Sequence, residues 1–249
     1  RGRELLQQLI DEFGRQGCKI LEADTDGIYL SSDSHFDRPE ELLAQVAPIL
    51  PAGIELEFDG RYDAMFCYKA KNYALNDSGT IILRGSALRS RGIEPYLKRL
   101  TDALIRFLLG VSGESPLGLI EGYRKGLGDR SLAVSDVARG EILGMNPEAY
   151  ERFIAGGGKP RRASAEAALQ MSPRPRMGER VTYYVTPKQK GRTSDWQRAR
   201  PLALYDPVAA PYDPEYYAGK LDDWLERYGR FLGVSAPPLK ADTSQGELL

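Results

Sequence analysis

The hydrophobic pattern of the chain changes period near residue 92, and this change constrains the fold more than any other feature of the sequence. Before it, short apolar segments alternate with charged and turn residues, as in half-buried strands. After it, apolar residues recur at helical spacing, at Leu97, Leu100, Leu104, Ile105 and Leu108. We therefore expect an α+β part over 1–92, a mainly helical part over 93–234 and a disordered tail over 235–249.

The first part is predicted to be a small antiparallel sheet with two helices on one face. Apolar residues at helical spacing predict a helix over 3–16, and Pro39 begins a second helix that runs to residue 50. Two short strands, over 19–23 and 27–31, are predicted to meet at a tight acidic turn.

Strand-like alternation continues after the second helix. Ile54, Leu56 and Phe58 alternate with acidic residues, which predicts another strand. The segment 65–73 is predicted to be one continuous strand. One of its faces would carry Met65, Cys67, Lys69, Lys71 and Tyr73. A turn and a strand over 80–83 would then close a meander.

The second part contains a strongly basic segment, although the net charge of the whole chain is only -1. Residues 156–200, here called the basic stretch, include 11 basic and three acidic residues. Frequent Gly and Pro predict loops around one strand over 181–185. Helices are predicted over 117–123 and 147–154, and a last helix is predicted to begin at Asp213.

The composition excludes several classes of protein. Hydrophobic residues make up 42% of the chain and charged residues 28%, the balance of an ordinary globular domain. No run of about 18 apolar residues is present to span a membrane. Cys18 and Cys67 have no metal-binding neighbours in sequence, so we expect no zinc site and a reducing, cytoplasmic compartment. A start without Met, directly in a helical pattern, is expected of a piece of a longer polypeptide.

The acidic turn between the first two strands is the most specific chemical feature. It reads Glu22-Ala23-Asp24-Thr25-Asp26-Gly27 and has apolar residues on both sides. Hard divalent cations take oxygen ligands, so Asp24 and Asp26 could bind Mg²⁺ ions that bridge phosphate oxygens. Asp is also a common turn residue, and both carboxylates could instead cap backbone amides.

Two later segments carry candidate nucleic-acid-binding side chains. They are Lys69, Lys71, Tyr73, Arg84, Arg89 and Arg91. The first three would share one side of the predicted strand, a surface suited to phosphates and to bases or sugars. The three arginines could bind a nucleic-acid backbone through bidentate contacts. Both sets could instead be a solvated sheet edge and a solvated loop.

Taken in order, these segments resemble the C-terminal part of a family B DNA polymerase. Asp24-Thr25-Asp26 is similar to palm motif C of that family, Lys71 with Tyr73 to its Lys-x-Tyr motif, and Arg89 with Arg91 to the arginine pair that follows. Further segments resemble the thumb sequence of the family in the same order: 146–150, 177–185 and 212–217. The resemblance covers nearly everything from residue 3 to residue 233.

The resemblance implies a partial palm over 1–92 and a thumb over 93–234, with primer-template DNA as the partner. It implies that Asp26 binds both catalytic Mg²⁺ ions and that Asp24 has a weaker or structural role. A deoxynucleoside triphosphate would bind only in the complete enzyme.

The sequence departs from the family in several places. Glu22 stands where the family usually has an aromatic residue, Gly27 where Ser is frequent, and Ala70 where a basic residue is commoner. Motif A, motif B and the exonuclease domain, which normally precede motif C, are not matched. The chain alone is therefore expected to be inactive, and an N-terminal portion with motifs A and B, on the same polypeptide or a separate subunit, is implied.

Two alternatives stay open at the level of sequence. The basic surfaces could bind duplex DNA without any chemistry, as in an accessory module or a relic. Asp24-Thr25-Asp26-Gly27 is also similar to the nucleophile loop of haloacid dehalogenase phosphatases. Against that class, Ile28 stands where those enzymes have Thr, and the surrounding pattern is a meander rather than repeated strand-helix units.

Overall fold

The computed structural model describes residues 2–24, 27–89 and 92–234. Asp26 and Arg91, two of the predicted site residues, lie outside the described residues, as does the predicted disordered tail over 235–249.

Two compact units make up the chain. The first consists of Arg1–Ser90 together with Ile105–Gly113, and the second of Arg91–Leu104 together with Glu114–Leu249. The helix Pro95–Leu108 therefore begins in the second unit and ends in the first.

The first unit opens with two helices and a hairpin. Helix α1 spans Gly2–Arg15, strands β1 and β2 span Lys19–Asp24 and Gly27–Ser31, and helix α2 spans Pro39–Val46. The two strands pair antiparallel, as predicted. The α-helix ends at Val46 rather than at residue 50, and a 3-10 turn, Ala47–Ile49, follows, because the proline within that turn has no N–H to extend the helix.

The apolar faces of α1 and α2 form one core with residues of the β1–β2 hairpin. The buried members of this core are Leu9, Phe13, Cys18, Leu42 and Val46. Ile20 of β1 and Ile28 and Leu30 of β2 pack against it while remaining half-buried. Burial of a large apolar side chain stabilises the fold by about 1.5–3 kcal/mol, so this core fixes the hairpin that carries the acidic turn.

A second sheet in the first unit is a three-stranded antiparallel meander. Its strands are β3 (Ala64–Lys69), β4 (Asn72–Asp77) and β5 (Thr80–Arg84), in the order β3-β4-β5. Ala74 and Leu75 are fully buried on its central strand. The β1–β2 hairpin is a separate two-stranded sheet, so the single sheet predicted from sequence is in fact two.

The strand predicted from the alternation at 54–58 is absent from the described part of the first unit. Ile54 and Phe58 are exposed, and only Leu56 packs against the core of α1 and α2. Alternation predicts which side chains share a face, but a strand also needs a neighbouring strand to pair with, and here none pairs.

The second unit combines helices with one three-stranded antiparallel sheet. The strands are β6 (Arg139–Ile142), β7 (Arg180–Val185) and β8 (Ala199–Pro201), in the order β6-β7-β8. Its α-helices are the first part of α3 (Pro95–Leu108), up to Leu104, together with α4 (Leu117–Gly128), α5 (Val134–Val137), α6 (Pro147–Ala155), α7 (Ala163–Ala168), α8 (Asp195–Arg198) and α9 (Pro214–Tyr228). The predicted helices near 117, 147 and 213 are all present.

Buried hydrogen bonds link α9 to α3 inside the second unit. The Tyr96 hydroxyl donates to the Tyr217 carbonyl at 2.6 Å, and Trp224 Nε1 donates to Thr101 Oγ1 at 2.9 Å. Tyr96 and Tyr217 are almost fully buried. A buried polar group without a partner is costly, so these bonds fix how the two helices pack.

The basic stretch is more ordered than the sequence predicted. Besides β7 it contains the short helices α7 and α8 and the strand β8, where loops around a single strand were expected. Small buried residues explain this difference, because Ala165, Ala167 and Ala168 pack α7 against β7 and β8.

These elements confirm the predicted α+β class. Every sheet in the described ranges is antiparallel, which does not fit the parallel strand-helix units of haloacid dehalogenase phosphatases. Among the described residues, no helix is both long and apolar enough to cross a membrane.

Candidate functional site

The acidic turn lies at the end of the β1–β2 hairpin. Asp24 pairs with Gly27 across the hairpin, and the register places Glu22 opposite Tyr29. The register shifts between Ile20 and Glu22, where β1 has an extra residue. Such a bulge bends a strand and redirects the side chains that follow. In β1 the residues that follow the bulge include Glu22 and Asp24, so it redirects their carboxylates.

Both carboxylates contact Lys71, in the connection between β3 and β4. Asp24 Oδ2 lies 2.7 Å from Lys71 Nζ, and Glu22 Oε1 accepts a hydrogen bond from the Lys71 backbone N–H at 2.9 Å. The Asp24 side chain is 35% exposed and that of Lys71 is 71% exposed, so solvent weakens the ion pair. The structure thus brings the acidic hairpin and the Lys-x-Tyr segment together.

Lys71 occupies a hairpin turn rather than the middle of a strand. Strand β3 ends at Lys69 and β4 begins at Asn72, so the prediction that Lys69, Lys71 and Tyr73 share one face of a single strand is wrong. Lys71 has a φ of 60°, the left-handed region that reverses the chain direction in tight hairpins. Its backbone N–H then points away from the ladder and is satisfied by Glu22.

The loop after β5 packs tightly against the same turn. Gly85 has a φ of 77°, and a Cβ added there would lie 2.3 Å from the Lys71 carbonyl oxygen and 2.4 Å from Asn72 Oδ1. Asn72 Oδ1 accepts a hydrogen bond from the Ala87 N–H at 2.8 Å. Only glycine allows this approach, so the loop after β5 provides a contact to the turn in addition to that of Glu22.

Three tyrosines pack beside the turn. The Tyr73 and Tyr29 hydroxyls lie 3.3 Å apart, and their ring centroids are 5.1 Å apart. Tyr62 adds a third ring, 6.3 Å from that of Tyr29. Burial, with a further contribution from the hydrogen bond to Tyr73, raises the pKa of Tyr29 to about 12. The contact between Tyr29 of β2 and Tyr73 of β4 connects the two small sheets of the first unit.

The remaining predicted nucleic-acid-binding residues of this unit are exposed. Arg84 pairs in register with Tyr73 across β4 and β5, which places it next to the tyrosines. Arg89 donates a hydrogen bond to the Leu83 carbonyl at 3.1 Å. Lys69 lies at the end of β3, with its Nζ 5.6 Å from the Tyr68 ring centroid.

The described ranges contain no group of three or more His, Cys, Asp or Glu side chains that could hold a metal ion. Asp24 is the one predicted ligand that the structure describes, and its carboxylate already contacts the Lys71 ammonium. The described residues therefore do not by themselves provide a magnesium site.

Some basic side chains in the basic stretch of the second unit form ion pairs with carboxylates, and others are exposed to solvent. Arg198 is only 3% exposed and contacts Asp213 at 2.6 Å, so it is part of the interior and cannot bind DNA. Arg161 contacts Glu166 at 2.9 Å, and Arg174 contacts Glu151 at the same distance. Exposed cations remain on the loop between β7 and α8, namely Lys188, Lys190 and Arg192.

Sequence reasoning missed two residues of this site. Glu22 was noticed only as a departure from the family pattern, although strand alternation places it on the same face as Asp24. Gly85 directly follows Arg84, in a segment that was considered only for its arginines. A glycine directly after a strand is a signal for a special φ, but nothing in the sequence shows what it approaches.

Asp24 and Lys71, which belong to two of the segments that resemble polymerase motifs, are in contact in the structure. No protein-family model matches the chain. The chain is similar to DNA polymerases of archaea, and this confirms the predicted resemblance to family B DNA polymerases.

The individual matches cover almost the whole chain but only part of each relative. The chain is 27% identical to a DNA polymerase of Thermococcus sp. (strain 9oN-7) over 87% of this chain and 28% of that protein. It is 26% identical to DNA polymerase 1 of Pyrococcus abyssi (strain GE5 / Orsay) over 96% of this chain and 31% of that protein. The chain thus spans less than a third of the length of these curated relatives.

A solved structure gives the same fold. The family B DNA polymerase of the hyperthermophilic archaeon Pyrobaculum calidifontis matches with a TM-score of 0.67 and 20% identity. The match covers 94% of this chain and 29% of that polymerase. The mixed fold with small antiparallel sheets is therefore that of part of a family B DNA polymerase.

Proposed function

We propose that the chain is the C-terminal palm and thumb part of a DNA-directed DNA polymerase, with the palm over 1–92 and the thumb over 93–234. The observation that carries the proposal is the 2.7 Å contact between Asp24 and Lys71. It joins two segments, far apart in sequence, that resemble consecutive polymerase motifs. The similarity to archaeal DNA polymerases along nearly the whole chain supports the same conclusion.

The proposed contribution of the chain to catalysis is a pair of metal-binding carboxylates in the acidic turn. In the complete enzyme Asp26 would be a Mg²⁺ ligand and Asp24 a peripheral one, and the bound metal would supply Lewis-acid chemistry for nucleotidyl transfer. The Lys71 ammonium contacts the Asp24 carboxylate at 2.7 Å and restrains its position. Carboxylates from both sides of the metal pair are needed, so the chain should be inactive without the portion that carries motifs A and B.

The proposed binding contribution is a set of phosphate contacts to primer-template DNA. In the palm these would come from Lys69, Lys71, Tyr73, Arg84, Arg89 and Arg91. In the thumb they would come from the exposed cations of the basic stretch, including Lys188, Lys190 and Arg192. Such contacts position a duplex without reading its sequence.

Titration of the chain with labelled duplex DNA at several salt concentrations tests the binding role. We expect sequence-independent affinity, with log K falling against log salt by about 0.9 for each phosphate neutralised. Arg198 is buried, so it should not contribute to this slope, whereas replacing Lys190 by Gln should lower it. Binding that is absent at low salt, or that does not respond to salt, would contradict the proposal.

Primer extension tests the catalytic role. We expect Asp26→Asn, in the chain combined with a polymerase portion that carries motifs A and B, to lower extension by several orders of magnitude. Duplex binding should change little, because the substitution keeps the side-chain shape. Asp24→Asn should have a milder effect. Extension by Asp26→Asn at the parental rate would remove the catalytic assignment.

One observation favours a second candidate, a duplex-binding module without chemistry. The Asp24 carboxylate is paired with the Lys71 ammonium at 2.7 Å, which leaves it less available to a metal ion. The extension assay separates the two, since a binding module would retain duplex affinity and give no product with any N-terminal portion.

A further inference from the structure

The turn formed by Ala70 and Lys71 is held at three points by groups from other segments. Glu22 accepts from the Lys71 N–H at 2.9 Å, Asp24 contacts the Lys71 ammonium at 2.7 Å, and Gly85 lies against the Lys71 carbonyl. A lysine in a solvent-exposed hairpin turn normally samples many rotamers, at an entropic cost when it binds. Here the Lys71 backbone is held by Glu22, and its ammonium has a preferred position beside Asp24.

We infer that Glu22 is a positioning residue that orients Lys71 toward a bound nucleic acid, an inference that rests on the proposed function. Glu22 contacts the peptide of Lys71 and not its ammonium, so it acts on the direction in which the side chain leaves the turn. Asp24 then holds the far end of that side chain.

The local geometry explains how the carboxylate of Glu22 stabilises the turn at Lys71. Lys71 has a φ of 60°, and its N–H faces away from the β3–β4 ladder toward β1. The irregular register at the start of β1 turns the Glu22 side chain toward that N–H. A Phe side chain at position 22 has no acceptor for this bond, and a Tyr hydroxyl lies at the far end of a rigid ring, whereas the Glu22 carboxylate accepts it at 2.9 Å.

A matched pair of variants isolates the hydrogen bond. Glu22→Gln and Glu22→Met both remove the negative charge and have similar size, but only Gln keeps an acceptor. We expect Glu22→Gln to bind duplex DNA at least as tightly as the parent, because a repulsive charge is lost. Glu22→Met should bind about fivefold more weakly than Glu22→Gln, the factor of one neutral hydrogen bond.

A double-mutant cycle shows whether the effect acts through Lys71. Lys71→Gln should lower affinity about tenfold in the Glu22→Gln background, as expected for a lost charged hydrogen bond, and distinctly less in the Glu22→Met background. Lys69→Gln is the control, because Lys69 lies outside the turn and should cost the same in both backgrounds. Equal costs of Lys71→Gln in the two backgrounds would overturn the inference.

Hydrogen exchange at the Lys71 amide provides a readout that needs no DNA. The amide should exchange about fivefold more slowly in Glu22→Gln than in Glu22→Met, while thermal unfolding of both variants shows that the fold is intact. Equal exchange, or equal duplex affinity of the two variants, overturns the inference and leaves the proposed function standing. A parent chain that binds no duplex at low salt overturns both.

Discussion

Gly85→Ala is expected to disturb the proposed DNA interface by moving the Lys71 turn. Its Cβ would lie 2.3 Å from the Lys71 carbonyl oxygen and 2.4 Å from Asn72 Oδ1, well inside van der Waals contact. The φ of 77° at this position also disfavours alanine, by about 1–2 kcal/mol. Relief of the overlap should cost a further 1–3 kcal/mol or so, as for overpacked sites.

A second glycine of the same meander provides the control. Gly79 has a φ of 88°, and a Cβ added there would meet nothing within 4 Å. Gly79→Ala therefore introduces the unfavourable backbone conformation without a steric overlap. We expect it to lower the free energy of unfolding by about 1–2 kcal/mol and to leave duplex affinity unchanged.

Urea unfolding and duplex titration of the two variants measure these effects. Gly85→Ala should be less stable than Gly79→Ala by about 1–3 kcal/mol and should bind duplex more weakly at every salt concentration. If both variants are equally stable and bind equally well, the close approach of Gly85 to the Lys71 turn has no consequence, and the reasoning is wrong.

Two further outcomes follow from the interior contacts. Asp213→Asn removes the carboxylate that lies 2.6 Å from Arg198, whose side chain is 3% exposed, so the free energy of unfolding in urea should fall by about 3 kcal/mol. Asp222→Asn removes the partner of Arg124 in a more exposed pair and should lower the free energy of unfolding by less than about 1 kcal/mol. The pKa of Tyr29 is raised to about 12 from 10.0, so the stability that neutral Tyr29 contributes is present below pH 10.0 and lost as pH rises toward 12. Thermal unfolding of Tyr29→Phe across that window should show a smaller loss than the parent, and identical pH profiles would contradict the assignment.

Local order was predictable from the sequence where hydrophobic periodicity and turn residues agreed. The helix Gly2–Arg15 and the hairpin from Lys19 to Ser31 have strong patterns and short-range signals, and both are present. The segment 54–58 shows the limit of such signals, because its alternation is real but no strand lies beside it to accept its hydrogen bonds.

The site was less predictable because its contacts are long-range. The β3–β4 turn has no Gly or Asn-Gly signal, and alternation across it looked like one continuous strand. The bond between Glu22 and Lys71 joins residues far apart in the chain, and the burial of Arg198 depends on Asp213. Charge counting alone therefore overstated the number of cations that face solvent.

Because three separate segments hold Lys71, replacing one of them with the corresponding segment of a related protein should disturb the turn. The residues responsible lie in three segments, around positions 22, 71 and 85. A chimera that received only an acidic hairpin without Glu at position 22 would combine a foreign residue with the native turn, and the Lys71 amide would lose the carboxylate that accepts its hydrogen bond. Exchange of these segments with a related protein should therefore preserve the turn when the β1–β2 hairpin, the β3–β4 turn and the loop after β5 are transferred together.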